Sequence, residues 1–142
     1  MSNPAENTRT LMIDRVFPHP PEKLWRALTE GPLLAQWLLK NDFEPIAGKK
    51  FQFRSEPMPQ WNGVIDCEVL VVDPLKQLSY SWNSLGLESV VLFTLTPEKS
   101  GTHLRMEQSG FRPDQQQAYG GAKYGWQRFL DSLERLLDGG VE

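Results

Sequence analysis

Residues 61–72 read WNGVIDCEVLVV, and this stretch decides the fold. Trp61, Gly63, Ile65, Cys67, Val69 and Val71 alternate with Asn62, Val64, Asp66, Glu68, Leu70 and Val72. The first set is nearly all apolar and the second carries the charge. Successive side chains of a strand point to opposite faces, so this period of two predicts a strand with one buried face. The same pattern repeats downstream. Asp73-Pro74 reads as a turn, after which Leu78, Tyr80 and Trp82 alternate with Gln77, Ser79 and Ser81. Val91, Phe93 and Leu95 are separated by Leu92 and Thr94, and a turn follows at Lys99-Ser100-Gly101. Leu104, Met106 and Gln108 then alternate with His103, Arg105 and Glu107. Connections this short imply an antiparallel meander.

Upstream, Phe51 and Phe53 predict one more strand, Phe43 and Glu44 a short one, and residues 8–17 a first strand rich in β-branched residues. Pro57 and Pro59 mark a loop. Pro20-Pro21 suits a first helical turn, because proline has no N–H to leave unpaired. Leu24, Trp25 and Leu28 follow at helical spacing, with Gly31 as a stop; Pro32 opens a second short helix through Leu33, Leu34, Trp37 and Leu38. Beyond Pro113, Tyr119, Ala122, Trp126, Phe129, Leu130, Leu133, Leu136 and Leu137 trace one face of a helix over 115–137. Asp114 and Gln117 resemble a capping box, and Gly139-Gly140 ends the helix. Gly120, Gly121 and Gly125 each weaken it by about 1 kcal/mol relative to Ala, which predicts irregular first turns.

Composition narrows the function. The chain has 142 residues, about one domain, of which 39% are hydrophobic. Mean hydropathy is -0.45, yet five Trp, seven Phe and three Tyr concentrate the apolar volume in large rings. One Cys and two His exclude a disulfide framework and a Cys-rich zinc site. His19 falls in a proline loop and His103 on an outward face, so no metal is expected, and no cofactor. A net charge of -3 without a basic stripe argues against a nucleic-acid partner. Apolar runs do not exceed four residues, far short of the roughly 20 that a membrane span needs. Residues 1–7 lack the basic and apolar regions of a signal peptide and are expected to be disordered. With a single unpaired Cys67, the expected location is the cytoplasm.

The order strand, two short helices, antiparallel strands and long C-terminal helix resembles the helix-grip plan of the START-like (SRPBCC) superfamily. Residues 21–29 (PEKLWRALT) are similar to its first-helix signature. Leu34-Ala35-Gln36-Trp37, Asp73-Pro74 with Leu78-Ser79-Tyr80-Ser81-Trp82, Val91-Leu92-Phe93-Thr94-Leu95, Ser109-Gly110-Phe111 and Gly125-Trp126 follow in the expected order. Together they resemble the bacterial branch named after the activator of heat-shock protein 90 ATPase. Two positions depart from it: Leu38 follows Trp37 where relatives often pair tryptophans, and Ala47-Gly48 stands for Gly-Gly. The resemblance implies an α+β helix-grip fold over one START-like domain, residues 1–142. The separate N-terminal domain of the eukaryotic activators is not expected.

The resemblance also implies a hydrophobic cavity between sheet and long helix. Inward positions and the family plan together nominate Phe53, Trp61, Ile65, Cys67, Tyr80, Trp82, Phe93, Met106, Gln108, Tyr119 and Trp126 as ligand-binding residues. Trp61, Tyr80, Trp82 and Trp126 offer apolar rings with an N–H or O–H handle. Gln108 brings an inward amide that needs a partner, from Tyr80, Trp82, Tyr119 or a ligand. Cys67 lies between Ile65 and Val69 without a neighbouring base and reads as a small apolar group. Three functions are open: carrier or sensor of a small hydrophobic molecule; a polyketide cyclase/dehydratase-like or hydrolase-like enzyme using Tyr80, Tyr119 or Gln108 to orient groups or relay protons; and a chaperone-accessory or other protein-binding module. The scarcity of reactive side chains favours binding over catalysis.

Overall fold

The computed structural model describes residues 8–59 and 61–139. The expectation for residues 1–7 lies outside them, as does Gly140. In chain order the elements are β1 (Arg9–Phe17), α1 (Pro21–Thr29), α2 (Gly31–Trp37), β2 (Lys40–Asn41), β3 (Lys50–Arg54), β4 (Val64–Asp73), β5 (Gln77–Ser84), β6 (Leu87–Glu98), β7 (Gly101–Phe111) and α3 (Gln116–Asp138). The strands form one sheet in the order β1-β7-β6-β5-β4-β3-β2, every neighbouring pair antiparallel. This is the α+β helix-grip plan: an open sheet, two short helices after the first strand, and a long C-terminal helix.

The period-two pattern holds with one interruption. Ile65, Cys67 and Val69 are buried and Asp66 is exposed. A bulge between Val69 and Val71 then reverses the facing, leaving Val71 exposed while Val72 packs against the core. Trp61 falls outside β4; its backbone exchanges hydrogen bonds of 2.9 Å with Met58. The short strand is Lys40–Asn41, because Phe43 turns away to pack its edge on Phe51 at 5.1 Å. The β5–β6 hairpin closes on Leu85-Gly86, both with positive φ (51° and 78°), the geometry of a type I′ turn.

Glu30, not Gly31, separates the short helices. Its N–H reaches Arg26 O at 2.9 Å to end α1, and its carbonyl accepts from Leu34 N at 2.8 Å to start α2. The Trp37 indole then donates to Ala27 O at 2.8 Å and locks the pair.

Helix α3 is continuous from Gln116, glycines included, contrary to the expected irregular start. Asp114 does not cap it; that carboxylate accepts from Arg112 Nε at 3.2 Å, and no side chain caps the helix. The buried residues of α3 are Trp126, Leu130, Leu133 and Leu137, all in its second part. Arg15 donates to Asp131 at 2.8 Å, Lys23 to the Leu137 carbonyl at 2.7 Å and His19 Nε2 to Asp138 at 2.7 Å, fixing the same end. No helix among the described residues is long and apolar enough to cross a membrane.

Two glycines should respond oppositely to a methyl group. A Cβ on Gly120 meets nothing within 4 Å, so Gly120→Ala should raise stability by about 1 kcal/mol, or roughly 4 °C in Tm. At Gly110 φ is 111° and a Cβ would sit 2.6 Å from the Glu88 carbonyl, so Gly110→Ala should lower stability by at least about 1 kcal/mol. Thermal melts of both variants check the pair.

Candidate functional site

The face of the sheet and the first half of α3 enclose a cavity of about 1330 Å³. It exists because α3 is fully buried only from Trp126 onward, whereas Ala118, Tyr119 and Ala122 before it pack only partly against the core. Ala118, Gly121, Ala122 and Gly125 present small side chains or none to the space, so the helix roofs the cavity without filling it. Exposed apolar groups ring the mouth: Met58 at 61%, Leu85 at 71% and Tyr124 at 66% of full exposure.

Of the eleven residues nominated from the sequence, Trp61, Ile65, Trp82, Gln108 and Trp126 border this cavity. Phe53, Cys67, Tyr80, Phe93 and Met106 do not; they are buried one layer further along the sheet. Phe53 packs on Trp82 with ring centres 5.2 Å apart, and Phe93 on Trp126 at 5.9 Å, so both support lining rings from behind. Tyr119 also stands away from the cavity, held edge-on against Phe111 at 5.3 Å beneath the Arg9 guanidinium at 4.0 Å. Sequence reasoning did not nominate Met58, Ser84, Leu85, Leu87 or Phe129, which line the space as well. Phe129 was findable, since it follows Trp126 by three residues on the same helical face.

The polar groups are nearly all tied together. The Trp126 indole, which can only donate, reaches Gln108 Oε1 at 2.8 Å. That fixes the amide orientation, and Gln108 Nε2 donates to Ser89 Oγ at 3.0 Å. Ser89 in turn donates to the Trp82 carbonyl at 2.6 Å. The partners of Gln108 are therefore Ser89 and Trp126, not Tyr80, Trp82 or Tyr119. Register explains this: Gln108 pairs with Val91, which puts Ser89 diagonally across on the same face. A second relay runs from the Trp61 indole to Ser84 Oγ at 2.9 Å and on to the Val64 carbonyl at 3.3 Å. Trp82 and Trp126 lie 5.4 Å apart with their planes inclined by 49°, and Phe129 meets Trp126 edge-on at 5.6 Å.

Titratable groups are kept away from the cavity or kept neutral. Burial pushes the Cys67 thiol up to about 12, with the neighbouring Asp66 charge adding to it, so no thiolate nucleophile exists at neutral pH. Burial likewise raises the Tyr80 phenol well above its ordinary value. Its hydroxyl is fully enclosed and has no hydrogen-bond partner among the described residues. The one charged residue bordering the cavity among those described is Asp114, which is at the mouth and paired with Arg112. The described residues contain no group of three or more His, Cys, Asp or Glu able to hold a metal ion.

These features define a helix-grip domain: a curved antiparallel sheet, a long helix across it, and an aromatic cavity between the two. Residues 18–138 match the family described as Activator of Hsp90 ATPase homolog 1-like protein, and the chain belongs to that family. It is similar to protein MLL2253 of Mesorhizobium loti, with 56% identity, coverage of 94% of this chain and 100% of that one, and a TM-score of 0.88. It also resembles DynU16, a protein of the dynemicin biosynthetic locus, at 26% identity and TM-score 0.76, covering 93% of this chain and 47% of that one. Protein NE0264 of Nitrosomonas europaea, at 23% identity and TM-score 0.78 over 92% of this chain and 94% of its own, shares the fold. No curated protein sequence matches the chain.

An enclosed, unpartnered hydroxyl is destabilising relative to a hydrogen atom in its place. Tyr80→Phe should therefore match or exceed the wild type in stability, by up to about 2 kcal/mol in urea titration. A clear loss of stability would show that the hydroxyl has a partner.

Proposed function

We propose that the protein binds a small hydrophobic molecule in the cavity beneath α3, acting as a carrier or sensor. The observation that carries this reading is the cavity itself. It is well above the roughly 300 Å³ at which ligand pockets begin, and three tryptophans, Ile65 and Phe129 line it. Their indole N–H groups are largely satisfied within the protein, so the rings offer apolar surface to a guest.

The catalytic reading has weaker support. Of the three residues that could orient or relay protons, Tyr80 and Tyr119 do not border the cavity. Gln108 does, but an amide does not titrate. The resemblance to a protein of a biosynthetic locus is thus a likeness of scaffold, and binding is the chemistry that this lining supports. A protein-binding role would be favoured by an apolar patch away from the cavity. The three most exposed large apolar residues, Leu85, Tyr124 and Met58, ring its mouth and fit the ligand reading, while Met12, Val16, Ile46, Leu70, Val71 and Leu75 are exposed away from it.

Native mass spectrometry of protein purified from a heterologous host tests the proposal, with a small co-purifying mass as the expected result. Gly121 borders the cavity, and a Cβ there meets nothing within 4 Å, so Gly121→Phe should place a ring in the space and narrow it at little cost to the backbone. That variant should lose the bound mass while keeping or raising its Tm. Wild-type protein that carries no mass, and whose tryptophan emission ignores added 2-acetylnaphthalene, would overturn the reading.

A further inference from the structure

The walls of the cavity combine an unused donor with an absence of cations. Trp126 and Trp61 each donate their indole N–H to a protein acceptor. Trp82 also borders the cavity, yet no hydrogen bond engages its indole N–H among the described residues. Tyr80 Oη is the side-chain polar atom that is both fully enclosed and unpartnered there, so the Trp82 nitrogen is not sealed and its N–H opens onto space. Gln108 is 1% exposed and borders the same cavity. Its amide carries two hydrogens, of which Ser89 takes one; its oxygen is engaged by Trp126. The Trp82 N–H thus remains a donor without a partner on the sheet wall, while the exposed Gln116 and Gln117 amides stand at the mouth. No Lys, Arg or His borders the space among the described residues, and Asp114 at the mouth is paired with Arg112.

We propose that the cavity selects uncharged ring molecules bearing a hydrogen-bond acceptor, such as an aryl ketone or amide, docked on the Trp82 indole N–H. This rests on the ligand-binding reading above. An acceptor on the guest satisfies a donor that an all-hydrocarbon guest would bury unpaired. A carboxylate would satisfy that donor too, but it enters the cavity as a charge with no counter-ion there. The site therefore discriminates twice, for an acceptor and against an anion. Trp82, Trp126 and Phe129, packed on one another at 5.4 and 5.6 Å, form the aromatic wall that receives the ring.

Three probes of one size separate these terms: 2-acetylnaphthalene, 2-ethylnaphthalene and 2-naphthoate at pH 7, titrated against the full chain by tryptophan fluorescence and calorimetry. The ketone should bind about tenfold more tightly than the ethyl compound, the ordinary worth of a gained hydrogen bond. The naphthoate should bind at least about a hundredfold more weakly than the ketone. Trp82→Phe, which removes the indole N–H, should narrow the ketone preference over 2-ethylnaphthalene. The wild-type series stands alone if that variant folds poorly. Equal affinity for ketone and ethyl compound, or preference for the naphthoate, would overturn the selectivity while leaving the cavity as a binding site. Failure of all three probes to bind would overturn both.

Discussion

Trp126 is where α3 passes from roofing the cavity to packing on the sheet. The four buried residues of the helix begin there and run at i, i+4, i+7 and i+11 to Leu137, so its second part is fully seated, while Ala118, Tyr119 and Ala122 of the first part are only partly buried. A ring with 2% exposure is a large apolar burial, and its indole N–H would make that burial costly without an acceptor. Gln108 Oε1 supplies one at 2.8 Å. One hydrogen bond from a strand to a helix thus lets a tryptophan sit at the inner end of the cavity as both wall and anchor. Arg15, Lys23 and His19 hold the far end of α3, and the first ten residues of the helix, none of them buried, span the opening.

The alternation of apolar and polar residues is a local property that each strand carries in its own sequence, and for that reason the sheet was legible. The facing of Ile65, Cys67 and Val69, and of Tyr80 and Trp82, follows from period two alone. Val71 escaped because a bulge is a two-strand feature, visible only when β4 is laid against β5. Phe43 misled because an aromatic at a strand-like spacing can be buried by its ring contacts without joining the ladder. The Leu85-Gly86 hairpin was hidden by its chemistry: type I′ turns favour Asn or Asp at the first position, and Leu there is an unfavoured left-handed residue. Leu75 adopts the same region in the β4–β5 turn, far from the cavity, so the conformation by itself marks no function.

The candidate site was half legible for a reason of depth. Periodicity says which face of the sheet a residue points to, but not whether a second layer lies between it and open space. Phe53, Cys67, Tyr80, Phe93 and Met106 face inward as expected and meet other side chains, among them Trp37 of α2 on Phe93 and Phe43 on Tyr80. Trp61, Ile65, Trp82, Gln108 and Trp126 face inward where α3 stands off. Cross-strand register decided the partners of Gln108, and register is not written in either strand alone. The family resemblance supplied the existence of the cavity; the structure adds its polar pattern, two relays through Ser84 and Ser89 that quiet the indoles and leave the Trp82 N–H open.

The central claim is that the space under α3 receives a guest against Trp61, Trp82 and Trp126. With five tryptophans in the chain, two-dimensional 1H–15N NMR of the indole N–H groups reads it directly, residue by residue. On addition of a neutral naphthyl ketone, the account predicts that the signals of Trp82 and Trp126 move most, Trp61 moves less, and Trp25 and Trp37 in the short helices stay in place. Indole signals that all remain fixed at millimolar ketone, or a shift confined to Trp25 and Trp37, would contradict it.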